Sequence, residues 1–171
     1  GGTKLGEGIR DLLLKKNEES MFEETELLLM FAARAQHIQQ VILPAITAGK
    51  VVICDRFTDS SYAYQGGGRG ISLEKIQQLE KWIFSGVLSE FRPDLTLLLD
   101  LPVETGLSRA GDRSEADRFE TETVNFFQDV RDAFLKIAQD NPDRVSVVNA
   151  EQNIEAVQSS ILKVLKEYDL C

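Results

Sequence analysis

The sequence has 171 residues, 43% of them hydrophobic and 27% charged, which is the size and composition of one globular domain. Its formal net charge of −9 argues against nucleic acid as the main partner, because an acidic surface repels a polyanion. The longest apolar run, Leu27 to Ala33, is far shorter than the roughly 18 residues of a membrane helix, so no membrane partner is expected.

The first part of the chain is predicted to be helical. Apolar residues recur at helical spacing in a first helix that contains Leu5, Ile9, Leu12 and Leu13. A long helix is predicted from Glu23 to Ala48, where Gly49 ends it and Pro44 is expected to kink the last turn.

Helices and buried strands alternate in the remainder. Three short apolar runs predict strands buried on both faces, at Val51–Cys54, Leu95–Leu99 and Val145–Val148. Between and after them lie a predicted glycine-rich loop at Gly66–Gly70 and four helices, which begin near Ser72, at Pro102, at Val124 and at Ile154. This alternation predicts an α/β fold with a mostly parallel sheet covered by helices on both faces. Ligands bind such sheets beyond the carboxyl ends of the strands.

Two predicted strands end in an acid, Asp55 and Asp100, and polar residues commonly end buried strands without any catalytic role. Asp55 differs because Arg56 follows it: the carboxylate suits Mg²⁺ and the guanidinium suits a phosphate. Arginines are frequent in the predicted loops, namely Arg56, Arg69, Arg109, Arg113 and Arg118. In an acidic protein, loop arginines indicate a small phosphorylated ligand.

Residues 55–70 read DRFTDSSYAYQGGGRG, and the hydroxyls and amide that follow Arg56 suit a sugar and a base: Ser60, Ser61, Tyr64 and Gln65. The alternative interpretation is a polar loop that closes into a helix, with glycines serving only for flexibility. His37, the only histidine, has no cysteine or histidine partner nearby and suggests neither zinc nor a catalytic triad.

The segment resembles the DR(Y/F)xDSSxAYQG region of the thymidylate kinase family. The resemblance continues in GGTKLGEGIR at the start, TELLLMFAARAQH at residues 25–37, RPDLTLLLDLPVETGLSRA at 92–110 and ADRFE at 116–120. It implies a P-loop NTPase-like three-layer domain with strand order 2-3-1-4-5 and a mobile lid at about 109–122. It also implies an enzyme that transfers the γ-phosphoryl group of ATP to dTMP with Mg²⁺, in dTTP biosynthesis, as a homodimer packed through long helices.

At matching positions the resemblance implies residues that bind the acceptor, dTMP, and residues that bind the donor, ATP. Arg10 and Arg56 would grip the phosphate of dTMP, and Asp55 would help to organise Mg²⁺. The base and sugar would meet Arg34, Ser61, Gln65 and Tyr64, of which Tyr64 would crowd the 2′ position. The arginines expected to close over the ATP phosphates are Arg109, Arg113 and Arg118.

One position departs from the family pattern. The family usually places a phenylalanine four residues before Arg34 to stack on thymine, but Met30 stands there, with Phe31 beside it. Positions i and i+4 share a helix face, which favours Met30, whereas only Phe31 offers an aromatic ring. Which of the two packs on the base is therefore left open.

No GxxxxGK[ST] loop, the P-loop that cradles ATP phosphates, is present in the 171 residues. In the family this loop follows the first strand, which lies between the third and fourth strands, here Val51–Cys54 and Leu95–Leu99. Without that strand, the backbone N–H and C=O groups of the two neighbouring strands that face it would have no partners. Each such buried group costs about 1–3 kcal/mol of stability. We therefore expect the sequence to be an excerpt of a longer polypeptide, whose intact mass exceeds 19.1 kDa.

Two other functions remain open from the sequence. A deoxynucleoside kinase would accept unphosphorylated thymidine, although the phosphate-binding arginines argue against it. A catalytically silent nucleotide-binding protein would explain the lack of a P-loop. The setting is expected to be cytoplasmic, because the two cysteines, Cys54 and Cys171, lie far apart and do not indicate a disulfide framework.

Overall fold

A computed structural model of the chain describes residues 2–15, 19–85, 91–111 and 118–168. Helices dominate these ranges: α1 Lys4–Leu14, α2 Glu23–His37, a first π-helix Ile38–Ile42, α3 Leu43–Thr47, α4 Thr58–Ser61, a second π-helix Tyr62–Gly68, α5 Leu73–Phe84, α6 Val103–Gly111, α7 Val124–Asp140 and α8 Ile154–Glu167. The strands are β1 Thr96–Asp100 and β2 Val145–Asn149. No helix within the described ranges has the length and apolar character needed to cross a membrane.

Polar side chains at N-caps fix where several helices begin. The Thr3 hydroxyl accepts a hydrogen bond from the backbone N–H of Gly6 at 2.9 Å, and Thr123 and Asn153 cap α7 and α8 in the same way. Ser72 stands at the predicted N-cap of α5, but its hydroxyl makes no capping bond there. The starts of α5, α7 and α8 agree with the predictions.

β1 and β2 pair in parallel, with Thr96 opposite Val145 and Asp100 opposite Asn149. Both strands were predicted within one or two residues. α7 packs against both strands and α8 against β2. The carboxyl ends of the two strands therefore lie at one edge of the sheet, next to the start of α6.

The prediction of a buried strand at Val51–Cys54 is wrong for the described structure. This segment is irregular, and the side chains of Val51 and Ile53 are 77% and 95% exposed. A strand requires a neighbour that pairs with its N–H and C=O groups and a layer that covers its faces. Among the described residues, Val52 packs against the cluster of Ile38, Ile42 and Phe84, but no strand pairs with the segment.

The predicted long helix is continuous but not uniform. α2 widens into the first π-helix, in which the N–H of Leu43 donates to the carbonyl of Ile38, five residues earlier, before α3 resumes. Pro44 lies in the first turn of α3 and has no N–H for the preceding turn. The irregular part of the helix therefore precedes Pro44, whereas the prediction placed a kink in the last turn. Gly49, with φ +72°, follows the last helical residues as expected.

The predicted glycine-rich loop is largely helical, so that prediction is also wrong. The second π-helix includes Gly66 to Gly68, and the N–H of Arg69 donates to the carbonyl of Tyr64 at 2.9 Å. A Cβ at Gly67 would lie 2.7 Å from the Cβ of Ala133 and 3.0 Å from the carbonyl oxygen of Asp129. The glycines thus permit close approach to α7 and do not provide a flexible loop.

The second π-helix lies between two apolar clusters. One joins α2 and α5 through Leu27, Phe31, Ile71 and Ile76. The other joins the π-helix to α7 through Ala63, Phe126 and Val130. The segment that the sequence singled out for ligand binding is therefore held by packing on both sides.

A Gly67→Ala substitution is expected to lower the free energy of unfolding by about 1–3 kcal/mol, because the added methyl group overlaps α7. Gly8→Ala is the matched control, since a Cβ at this exposed position in α1 meets nothing within 4 Å. The control is expected to gain up to about 1 kcal/mol from helix propensity. Urea unfolding of both variants measures the effects, and equal changes would contradict the packing argument.

Candidate active site

The backbone at Arg56 is in a left-handed conformation, with φ 64°, and among the described residues it is the only non-glycine with positive φ. Such a conformation costs about 1–2 kcal/mol for an L-residue. The thiol of Cys54 donates to the carbonyl of Arg56 at 3.3 Å, on the exposed turn that also carries Asp55. Strain of this kind concentrates at functional sites, where surrounding structure holds it in place.

The Arg56 guanidinium lies over the ring of Tyr64, 4.8 Å from its centroid. Three phenylalanines surround the same ring edge-on, with centroids at 6.1–6.2 Å: Phe119, Phe126 and Phe134. The three phenylalanine rings hold the Tyr64 ring in place. The Tyr64 ring in turn positions the guanidinium of the exposed Arg56 by a cation–π contact. Arg56 and Tyr64, both predicted site residues, are therefore neighbours in space.

Arg34 reaches the same segment from α2. Its Nη2 donates to the carbonyl of Phe57 at 3.2 Å and to the Ser61 hydroxyl at 3.0 Å, and its guanidinium carbon lies 4.7 Å from the centroid of the Phe31 ring. Its Nη1 is buried with no hydrogen-bond partner among the described residues. Burial lowers the pKa of Arg34 to about 10, although Glu80 nearby raises it in part. A buried, unpartnered donor is costly unless a ligand supplies an acceptor.

Met30 and Phe31 differ in their surroundings. Phe31 is only 2% exposed and belongs to the cluster between α2 and α5, and one of its faces carries the Arg34 guanidinium. Met30 is half-buried and is not part of that cluster. This arrangement favours Met30 as the residue that packs on a ligand beside Arg34.

Glu26 is a residue that the sequence analysis missed. Its side chain is 1% exposed, and it accepts hydrogen bonds from Gln65 at 2.8 Å, from Arg69 at 3.3 and 3.5 Å and from Arg118 at 2.6 Å. A signal was present, because Glu26 lies four residues before Met30 and eight before Arg34, on one helix face. The predicted residues Gln65 and Arg118 therefore meet at this carboxylate.

The remaining predicted arginines lie elsewhere. Arg109, near the end of α6, donates to the carbonyls of Ala150 at 2.8 Å and Glu151 at 3.2 Å, in the loop after β2. Arg10 is exposed on α1, on the outside of the part of the chain that the structure describes. Arg113 lies outside the described residues.

Asp55 is the predicted magnesium ligand, and its side chain is exposed at the strained turn. Within the described ranges no three acidic, histidine or cysteine side chains form a cluster that could hold a metal alone. Mg²⁺ usually keeps several waters and takes only one or two carboxylates together with substrate phosphates. A single exposed carboxylate next to an arginine fits that mode of binding.

The thymidylate kinase family model matches residues 1–161. The chain belongs to the thymidylate kinase family. Thymidylate kinase from Pseudomonas putida (strain GB-1) is 57% identical over 161 residues, 94% of this chain and 75% of the relative. That from Pseudomonas syringae pv. tomato is 54% identical over 167 residues, 98% and 78% of the two chains.

The fold is also that of the family. The crystal structure of thymidylate kinase from Ehrlichia chaffeensis matches with a TM-score of 0.75 at 33% identity, covering 96% of this chain and 77% of that one. The predicted family and its P-loop NTPase-like α/β fold are thereby confirmed. The roles of individual site residues stay predictions.

Two ion pairs that the sequence did not predict anchor the site to the sheet. Arg144, just before β2, binds both carboxylate oxygens of Asp59 at 2.7 and 3.0 Å and the Thr96 hydroxyl at 3.0 Å. Asp100, the acid that ends β1, is bound by Arg131 of α7 at 2.7 and 2.9 Å. Hydrogen bonding from Arg131 lowers the pKa of the Asp100 carboxyl below its ordinary value. Asp100 thus has a structural partner.

Asp100→Asn is expected to cost about 1 kcal/mol of unfolding free energy at neutral pH. Because the folded-state pKa of Asp100 is lowered, the carboxylate stabilises above its ordinary pKa near 4, and this contribution is lost as the pH falls through the folded value. The difference between variant and unmodified protein should therefore shrink in acid. Urea unfolding between about pH 3 and pH 7 measures it, with exposed Asp94→Asn as control. A difference independent of pH would contradict the assignment.

Proposed function

We propose that the chain acts as a thymidylate kinase through the residues gathered around Arg34 and Arg56, transferring the γ-phosphoryl group of ATP to dTMP and so serving dTTP biosynthesis. The observation that carries the residue assignment is the buried Nη1 of Arg34, which has a strong donor and no protein acceptor within the described residues. A carbonyl oxygen of thymine is an acceptor of the kind that this donor lacks.

On the acceptor side, Arg34 binds the thymine edge, while the half-buried Met30 packs on the ring and Ser61 holds the guanidinium in place. The amide nitrogen of Gln65 is engaged by Glu26, so its amide oxygen is the group left to accept from a base N–H. Tyr64, fixed among phenylalanine rings, crowds the 2′ position of the sugar.

Arg56 and Arg10 bind the phosphate of dTMP. A guanidinium offers two parallel N–H groups to phosphate oxygens, and the strained turn holds Arg56 at the exposed end of the segment. Phosphoryl transfer depends mainly on positioning and on neutralising charge, so fixed arginines suffice without a general base. Asp55 would hold Mg²⁺, which supplies charge neutralisation on the ATP phosphates when bound.

On the donor side, residues 109–122 are the proposed lid, and Arg109 and Arg113 close over the ATP phosphates. Arg118, near the end of this range, is instead held by Glu26 and by the carbonyl of Leu13. Support comes from Arg109, which lies at the carboxyl edge of the sheet, where ligands of such folds bind. Closing over the phosphates would exclude water and limit hydrolysis of ATP.

The proposal includes a cytoplasmic homodimer. The continuous helix from α2 to α3 leaves large apolar side chains exposed, namely Leu28, Val41 and Ile46. Exposed large apolar side chains are the kind of surface that a second subunit can cover. Sedimentation velocity measures the assembly state directly.

The substrate assignment is tested by ADP release from the full-length protein with a panel of nucleoside monophosphates and with thymidine. Turnover is expected with dTMP and is expected to be far weaker with adenosine and cytidine monophosphates. Comparable turnover on those nucleotides would reject the thymidine assignment. Preference for thymidine would favour a deoxynucleoside kinase, and ATP binding without turnover a silent nucleotide-binding protein.

Arg56→Ala is expected to lower kcat/KM for dTMP by about 100- to 1,000-fold, because a donor aimed at the reacting phosphate is lost. Arg56→Lys should recover only part of the loss, since it keeps the charge without the bidentate fork. Arg92→Ala, which removes another exposed arginine, is the control and should stay within about threefold. Near-normal activity of Arg56→Ala would overturn the role given to Arg56.

A further inference from the structure

Gln65 is held by a group that can only accept hydrogen bonds. Its Nε2 donates to Oε1 of Glu26 at 2.8 Å, and the Gln65 side chain is 2% exposed. An ionised carboxylate has no hydrogen to give, so the amide cannot turn its oxygen toward Glu26 without losing this bond and setting two oxygens against each other. The carboxylate therefore determines which end of the amide points away from it.

The orientation of Glu26 is fixed in turn by two arginines. Arg118 donates to Oε2 at 2.6 Å, and Arg69 reaches both carboxylate oxygens. Arg118 is itself tied to α1, because its Nε donates to the carbonyl of Leu13 at 2.8 Å. With both oxygens engaged by arginines in a buried position, the carboxylate cannot rotate to release Gln65 without losing these bonds.

Gln65 lies on the same helical segment as Ser61, the hydroxyl that binds Arg34. Ser61 precedes it by four residues on one continuous helical segment, so the two side chains share a face, and the Ser61 hydroxyl binds Arg34. Arg34 has the buried donor Nη1. A donor from Arg34 and an acceptor from Gln65 together match thymine, whose ring offers a carbonyl oxygen at C4 and an N–H at N3. Cytosine has an amino group and an unprotonated nitrogen at those positions.

We propose that Glu26 is a specificity-determining residue: by binding the Gln65 amide nitrogen, it leaves the amide oxygen for the base and so favours thymine over cytosine. Glu26 does not touch the nucleotide and acts through Gln65 as a positioning residue. This inference rests on the proposed function, in which Gln65 reads the base.

Glu26→Gln tests the inference because the side chain keeps nearly the same shape while one carboxylate oxygen, an acceptor, is replaced by an NH₂ group, a donor. The new amide must place its oxygen toward Arg118, which can only donate, and therefore turns its NH₂ group toward Gln65. The Gln65 amide then accepts from residue 26 and presents its own NH₂ group to the base. This arrangement suits cytosine at N3 and opposes thymine.

The measurement is the ratio of kcat/KM for dTMP to that for deoxycytidine monophosphate in the full-length protein. The ratio is expected to fall about 10-fold or more in Glu26→Gln, as expected for one inverted hydrogen bond to a base. Glu122→Gln is the matched control: it removes the other carboxylate partner of Arg69, at 2.6 Å, and does not touch Gln65. Its ratio should stay within about threefold of the unmodified protein.

Removing one carboxylate from a buried cluster with two arginines can also impair folding. The double variant Glu26→Gln with Arg69→Met removes the excess positive charge and keeps the altered amide at position 26. Its unfolding midpoint should recover relative to the single variant, while the ratio stays low. A ratio that returns to normal along with stability, or equal losses on both nucleotides, would overturn the inference. An unmodified protein that does not prefer dTMP would refute the proposed function itself.

Discussion

The close approach between the second π-helix and α7 is the constraint on which the candidate site depends. At Gly67 even a methyl group would lie 2.7 Å from the Cβ of Ala133, so the two backbones can meet only where side chains are absent. This contact fixes the helical segment from which Ser61, Tyr64 and Gln65 project. Binding residues are thus held on a packed element, which limits their motion more than a surface loop would.

The buried guanidinium of Arg34 is the second feature of the candidate site. It is a hydrogen-bond donor that is already in place before a ligand binds. Arg34 is desolvated enough to lower its pKa to about 10, yet its Nη1 has no protein acceptor among the described residues. The cost of that arrangement is met by packing on Phe31 and by bonds to Phe57 and Ser61. Such preorganisation reduces the ordering required when a ligand binds.

Local patterns in the sequence predicted most helices and both described strands, because caps and apolar periodicity act within a few residues. They failed at Val51–Cys54, since strand formation depends on a neighbour that residues close in sequence do not supply. They also failed at Gly66–Gly68, where Gly67 and Gly68 are required by contact with α7, some sixty residues later. The spacing of Glu26 to Met30 and Arg34 was visible in the sequence, but its partners Gln65, Arg69 and Arg118 converge on it only in the folded chain.

The bonds made by Arg144 bear on how the molecule can move. One guanidinium joins Asp59, in α4 at the start of the proposed ligand-binding segment, to Thr96 at the start of β1. Rotation of that segment relative to the sheet would break this half-buried bidentate pair. An opening motion that keeps this pair would leave the segment and the sheet in their present arrangement.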